Sequence, residues 1–418
     1  MDFRALPSGS VTLSNVTVPA HLLGQTGDLI TTDLHISDGK LTGTPGTIVD
    51  MARAMVLPCF TDMHTHLDKG HIWPRAANPD GSFMGALNTV RADHANWNAD
   101  DLRARMTFSL KCAYAHGTRA IRTHLDSIPP QPDISWPVFD EIRADWADRI
   151  DLQAVCLIGC DGFSEDGDFA HTADLVAQYG GVLGMVTYPV PDLKDRLLGF
   201  FRMATARGLA ADFHVDETMD ASSETLRMIA ETVIETGFDA PVTVGHCCSL
   251  STQDEARAFG TLDLVAKAGI SVVSLPMCNL YLQDRGPGTP RRRGVTLVHE
   301  MKARGIPVSF ASDNTRDPFY AYGDLDMLEV MRQATRIAHL DHSRPDWCDA
   351  FAATPAATCG FAAQGLRAGD PADLVIFNAR DWTELYARPQ TDRIVLRKGA
   401  AIDRRLPDYS ELDHLMRP

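Results

Sequence analysis

Twelve residues, Phe60 to His71, read FTDMHTHLDKGH and place three histidines and two aspartates directly after an apolar run. His64 and His66 are two apart, so on a β-strand both imidazoles point to the same side. Further metal-competent side chains recur downstream, each closing a short apolar segment. They are His124 and Asp126 in TRAIRTHLD, His214, Asp216 and Glu217 in GLAADFHVDET, His246 in APVTVGHC and Asp313 in GIPVSFASD. Three histidines and a carboxylate suit a divalent transition metal with one coordination position left for water. A single strand-end histidine is more often a hydrogen-bonded structural residue, and His71, His124 and Asp126 are read that way. For His64, His66, His214, His246 and Asp313 together, that reading would need coincidence at five equivalent positions.

The elements that must position these residues are strands alternating with helices. Eight apolar segments qualify as strands: MVLPCFTDMHTH, TRAIRTHLD, DLQAVCLIG, GGVLGMVTY, GLAADFHVD, APVTVGHC, GISVVSLP and GIPVSFASD. Between them lie helical stretches such as LRARMTFSLKCAYAHG and SSETLRMIAETVIETG, each closed by a glycine at the expected C-cap. Eight β-α units without a Rossmann glycine fingerprint predict an α/β fold of the (β/α)8 TIM-barrel type. The polar strand ends then gather at its C-terminal face, where such barrels assemble their sites. Short alternating β-runs at both ends, with SDGK at Ser37–Lys40 as a hairpin turn, predict a small β-sandwich domain from residues 1–54 and 365–418. Residues 55–364 form the barrel.

Composition narrows the function classes. The formal charge of −16 argues against nucleic acid or an anionic membrane as partner. Nine cysteines without a regular framework predict a reducing, cytoplasmic setting. The start MDFRALPSGS lacks the apolar stretch of a signal peptide, and no run reaches transmembrane length. The expectation is a soluble protein.

The stretches HTHLDK, HVDET, GHCCSL, PMCNLYLQDR, RRRGVTLVHEMKARGI and SDNTRDPF, in this order, resemble the cytosine deaminase branch of the amidohydrolase superfamily. The resemblance covers most of the chain. It implies a mononuclear centre with His64, His66, His214 and Asp313 as ligands of Zn2+, Fe2+ or Mn2+. It also implies Glu217 as proton shuttle, His246 beside the attacking water, and Asp313 as both ligand and proton acceptor. Binuclear relatives place a bridging lysine at the end of the fourth strand, whereas here Lys194 lies well past it. The H-x-E with P-C-x-x-C of small zinc deaminases and the H-E-x-x-H of zincins are both missing.

The implied reaction is hydrolytic deamination of cytosine or a related amino-substituted pyrimidine, with ammonia released. The alternative is an amino- or alkylamino-oxo-triazine of the ammelide type. A non-catalytic scaffold is set aside because no ligand position is lost. The substrate-contact candidates are Asn314, Phe319 and Cys160. Two positions depart from the family pattern. Cys156–Gly162 lacks the family's substrate-binding glutamine, and Asn314 replaces a second aspartate. A carboxamide both donates and accepts, so Asn314 suits a ring bearing a carbonyl as well as an N–H. Lys69 is read as either a substrate contact or an ion-paired residue, and Arg291–Arg293 as a solvated run or subunit contact. The expected partner is a small heterocyclic amine, within a homo-oligomer.

Overall fold

The computed structural model describes residues 6–7, 9–343, 346–362 and 364–416. The extreme ends of the expected terminal domain, residues 1–5 and 417–418, lie outside these. The strands are β1 Val11–Pro19, β2 Leu29–Ser37, β3 Lys40–Thr42, β4 Thr47–Asp50, β5 Met55–Pro58, β6 Phe60–Thr65, β7 Thr118–Asp126 and β8 Asp151–Leu157. Then follow β9 Leu183–Thr187, β10 Ala211–Val215, β11 Val242–His246, β12 Ser271–Ser274, β13 Val308–Phe310, β14 Leu374–Phe377, β15 Ile394–Arg397 and β16 Ala400–Ala401.

Strands β6 to β13 are the eight apolar segments, and they pair in parallel in chain order. β6, β7 and β8 form one ladder and β9 to β13 another. Parallel bridges Val155↔Val182 and Gly159↔Val186 join the two ladders, and Thr65↔Asp313 joins the last strand to the first. Helices connect successive strands, with caps as expected. Asn98 accepts from the backbone N–H of Asp100 and Asp101 to start the helix Ala99–His116, and Gly117 at φ 95° ends it. Gly237 at φ 64° likewise ends Thr225–Thr236. Among the described residues, no helix is long and apolar enough to cross a membrane.

The terminal segments join one eight-stranded sheet, ordered β16-β15-β14-β5-β1-β2-β3 with β4 paired to β1. Their buried side chains share one core cluster, and the pairing runs continuously through them. The cause is β1, whose bulge near Asn15 (φ 55°) lets its first half pair with β4 and its second half contact β5. The Ser37–Lys40 hairpin has positive φ at both central residues, Asp38 and Gly39, as a two-residue type I′ turn requires. The first expected barrel strand, which began at Met55, is divided. Cys59 N–H donates to Asp373 O and Phe60 N–H to Gly117 O, so the backbone changes sheets between these two residues. Met55–Pro58 therefore belongs with the terminal segments, past the boundary expected at residue 54.

At the seam between β8 and β9 the ladder is interrupted by the Cys156 thiol, which lies 3.1 Å from Gly184 N. A Cβ on Gly184 would stand 2.1 Å from Cys156 O and 2.5 Å from Val155 Cγ1. Backbone cannot yield to that overlap as a side-chain tip can. Gly184→Ala should cost about 3 kcal/mol, the upper end for overpacking, and lower the melting temperature by several degrees. A wild-type melt in circular dichroism would refute this account of the seam.

Candidate metal centre and active site

Four donor atoms from three strand ends meet at one point. His64 Nε2 lies 3.1 Å from His214 Nε2, and His214 Nε2 lies 3.4 Å from His66 Nε2. Asp313 Oδ1 is 3.2 Å from His66 Nε2 and 3.7 Å from His64 Nε2. All four side chains are buried. Burial, above all, holds the three imidazoles well below their ordinary pKa, so at neutral pH they are uncharged and each has one ring nitrogen lone pair to offer. Both Asp313 oxygens are buried without a hydrogen-bond partner, and burial, reinforced by the Asp317 carboxylate, pushes this acid up to about 8. Three uncharged imidazoles around a carboxyl without a hydrogen-bond partner form a donor set that a cation would satisfy. Donors bound to one ion at about 2.1 Å stand roughly 3.0 to 3.6 Å apart, which matches these separations. The four expected ligand residues therefore fit a divalent ion.

The backbone is bent to make this possible. Asp313 has φ 62°, its N–H donates to His64 O at 2.9 Å, and Thr65 Oγ1 donates to Asp313 O at 2.7 Å. These bonds tie the end of β6 to the turn after β13. Asp216 (φ 47°), His246 (φ 67°) and Cys247 (φ 51°) also adopt left-handed backbone at strand ends, as strained residues at functional sites do. His64 itself needs room on its flank. A Cβ on Gly245 would come 2.9 Å from His64 Cε1. His124, read as structural, packs against the same imidazoles, with its ring centroid 4.1 Å from that of His64.

Glu217 and His246 stand beside the four donors. Glu217 Oε1 lies 3.4 Å from His246 Nδ1. Burial first, then the Asp313 carboxylate, raises Glu217 well above the usual carboxylate range. Asn279 Nδ2 donates to Glu217 Oε1 at 3.3 Å and lies 3.0 Å from His246 Nδ1. That contact makes Nδ1 the acceptor and leaves Nε2, buried without a partner, to carry the proton into the site. Gln283 Nε2 holds the Glu217 carbonyl at 3.2 Å. Asn279 and Gln283 were not singled out from sequence, although their spacing of four in PMCNLYLQ puts both on one helical face. Asp216 faces away from the donors. Its carboxylate accepts from Ser223, Thr225 and Leu226 and anchors the following helix.

A second acidic group adjoins the first. His66, Asp68 and Asp126 are close enough to hold an ion of their own. Lys69 takes that place, with its buried ammonium 2.7 Å from Asp126 and 5.5 Å from the Phe319 ring centre. Asp126 also pairs with His94 at 3.1 Å. Asn314 is buried, and its Nδ2 donates to Asp317 Oδ2 at 2.7 Å. Asp317 Oδ1 in turn accepts from the N–H of Phe319 and Tyr320. An aspartate at 314 would set two buried carboxylates against each other, which accounts for the asparagine. Phe319 packs edge-on against Phe83. Cys160 is not brought to this group. Its thiol faces Tyr188 O at 3.6 Å and Arg196 holds its carbonyl. In the arginine run, the Arg291 and Arg292 backbones bond Asp284, and the Arg293 guanidinium reaches Ile337 O and His339.

The sequence profile of the amidohydrolase family matches residues 163–399. The pterin deaminase of Rhizobium rhizogenes is 56% identical over 417 residues, covering 96% of this chain and 95% of its own. The N-isopropylammelide isopropyl amidohydrolase of a Pseudomonas species is 22% identical, covering 82% and 84%. Among solved structures, the 5-methylcytosine deaminase from Klebsiella pneumoniae liganded with 5-fluorocytosine superposes with a TM-score of 0.79 at 24% identity, over 96% of this chain and 98% of that one. At that identity the likeness is one of fold.

Two measurements test the centre. Elemental analysis should find about one equivalent of divalent metal per chain, as a mononuclear site requires. Two equivalents, both needed for turnover, would mean that Lys69 does not exclude a second ion. Gly245→Ala should crowd His64 and speed metal loss to a chelator by roughly tenfold, the lower range for a disturbed ligand environment. Unchanged retention would show that His64 has slack on that side.

Proposed function

The chain belongs to the amidohydrolase family and is a hydrolase that deaminates a heterocyclic amine, and on that premise we propose that its substrate is a pterin. The 56% identity to a pterin deaminase along nearly the whole of both chains carries this reading. A pterin bears its amino group on a pyrimidine carbon flanked by ring nitrogens, with an oxo group on the same ring. It thus keeps the amino-pyrimidine chemistry expected from the sequence and adds the carbonyl that suits Asn314. Cytosine and the ammelide-type triazines become the comparison substrates.

In this reading the chain-order ring of parallel strands is a (β/α)8 barrel, with the centre at its C-terminal face. His64, His66, His214 and Asp313 would hold one Zn2+, Fe2+ or Mn2+ ion. Such an ion supplies Lewis acidity and brings the pKa of water toward neutrality. Glu217 gives its proton to the ring nitrogen next to the amino carbon, takes one from the attacking water and delivers it to the departing amine, and is reprotonated as the new hydroxyl becomes the oxo group. His246, its Nδ1 held by Asn279, points its Nε2–H at the attacking oxygen. Asn314, with one N–H committed to Asp317, keeps its carbonyl oxygen to accept a ring N–H. Phe319 and Phe83 wall the ring, and Lys69 keeps a buried positive charge next to it.

Ammonia release should be fastest with pterin, with kcat/KM at least tenfold above cytosine, isocytosine and N-isopropylammelide. A preference for cytosine or the ammelide would overturn the substrate assignment while leaving the deaminase intact. Glu217→Gln should keep the metal and lose rate by a factor on the order of 10² to 10⁴. Near-wild-type turnover with a full complement of metal would remove Glu217 from the reaction.

A further inference from the structure

The segment RTHLD in β7 supplies two residues with no part in the chemistry above, Arg122 and His124. They are two apart, and both side chains lie buried inside the ring of strands, at 3% and 0% exposure. His124 Nε2 is 3.2 Å from Asp212 Oδ1. Asp212 stands two residues before His214 on β10, on the same side of the strand. Its other oxygen, Oδ2, accepts from Arg122 Nη1 at 3.0 Å. The same guanidinium reaches Thr243 Oγ1 at 3.2 Å on β11 and Gln153 Oε1 at 2.7 Å on β8. One arginine thus ties β7, β8, β10 and β11 together beneath the donors.

We propose that His124, oriented by Asp212 and Arg122, is a positioning residue for the metal centre, its imidazole being the floor that sets the ring planes of His64 and His214. The inference rests on the reading of His64, His66, His214 and Asp313 as ligands. Metal-binding histidines are ordinarily oriented by a hydrogen bond from their second nitrogen. Among the described residues, Nδ1 of His64, His66 and His214 is buried with no such partner. Their ring planes are therefore fixed by packing. The His124 ring is centred 4.1 Å from His64, tilted by 41°, and 4.7 Å from His214 at 87°, with His66 at 5.4 Å. It is the shared neighbour of all three.

The bond to a carboxylate fixes the His124 ring in turn. Asp212 can only accept, so Nε2 carries the proton and the ring cannot turn without leaving a buried oxygen unpaired. A buried Arg–Asp–His group is weak evidence for stability, since apolar side chains of the same volume often stabilise as well or better. Its placement directly under three convergent imidazoles is what points to positioning.

The test uses the full chain loaded with Co2+, whose visible absorption reports ligand geometry. His124→Phe keeps the ring and loses the bond to Asp212, whereas Asp212→Asn keeps the shape and weakens that bond. Met185→Ala opens a cavity in the main core away from the donors and controls for destabilisation. Both positioning variants should shift the Co2+ spectrum and release metal to a chelator about 10- to 100-fold faster, the range for loss of ligand support. The Met185 variant should do neither at a similar melting temperature. Asp212→Asn, nearly isosteric, keeps the test open should the phenylalanine variant not fold. Wild-type spectra and release rates in the folded variants would overturn the inference, as would equal shifts in the Met185 control. Failure of the wild-type protein to bind Co2+ would overturn the ligand reading itself.

Discussion

Three imidazole nitrogens and a carboxylate oxygen crowd into one buried space, at separations of 3.1 to 3.7 Å where they are paired. This single constraint organises the face of the fold on which they lie. His64, His66, His214 and Asp313 come from β6, β10 and the turn after β13, so the strands must close in chain order to bring them together. The closing contacts are the ones nearest the donors, Thr65 to Asp313 and Asp313 to His64. Strand ends depart into left-handed backbone at Asp216, His246 and Asp313. Such backbone is unfavourable for residues other than glycine, and the hydrogen bonds around it must hold it there.

Much of this was legible in the sequence because two periodicities carry it. Alternation put His64 and His66 on one side of a strand, and apolar runs ending in polar residues located all eight strands of the ring. Helix C-caps such as Gly117 and Gly237 marked where each unit ended. What was not legible depended on partners far apart in the chain. Met55–Pro58 and Phe60–Thr65 run on as one extended stretch with only Cys59 between them. Only the separate bonds of Cys59 to Asp373 and of Phe60 to Gly117 divide them. The bulge in β1 that joins the terminal strands into one sheet is likewise silent in the sequence.

The site shows the same division. Residue type and strand position were enough to find the donors, Glu217 and His246. Asn279 was hidden because a lone asparagine on a short helix has no pattern of its own, and its role appears only when Glu217 and His246 are seen on either side. Asn314 looked like a choice made for the substrate alone. Its bond to Asp317 shows an internal reason as well: the loop already contains one buried carboxylate at that point. Cys160 was placed near the substrate by its position after the third strand, yet the turn there directs its thiol to Tyr188.

The charges around the donors explain how a carboxyl can act as an acid in this site. Asp68, Asp126, Asp313, Asp317 and Glu217 lie within one buried neighbourhood, and Lys69 is the cation that stands among them. Its attraction works against burial at Asp126 and draws that acid down to about 2, whereas Asp317 stays near 6 and Asp68 near 7, each raised chiefly by burial. Ionising Glu217 would add a further negative charge beside Asp313 in a region of low dielectric, and that is costly. In the proposed reaction the Glu217 proton is held until the substrate ring offers a better site, which is what a general acid requires. Lys69 pulls the other way, its positive charge favouring the ionised form of Glu217 against burial and the Asp313 carboxylate.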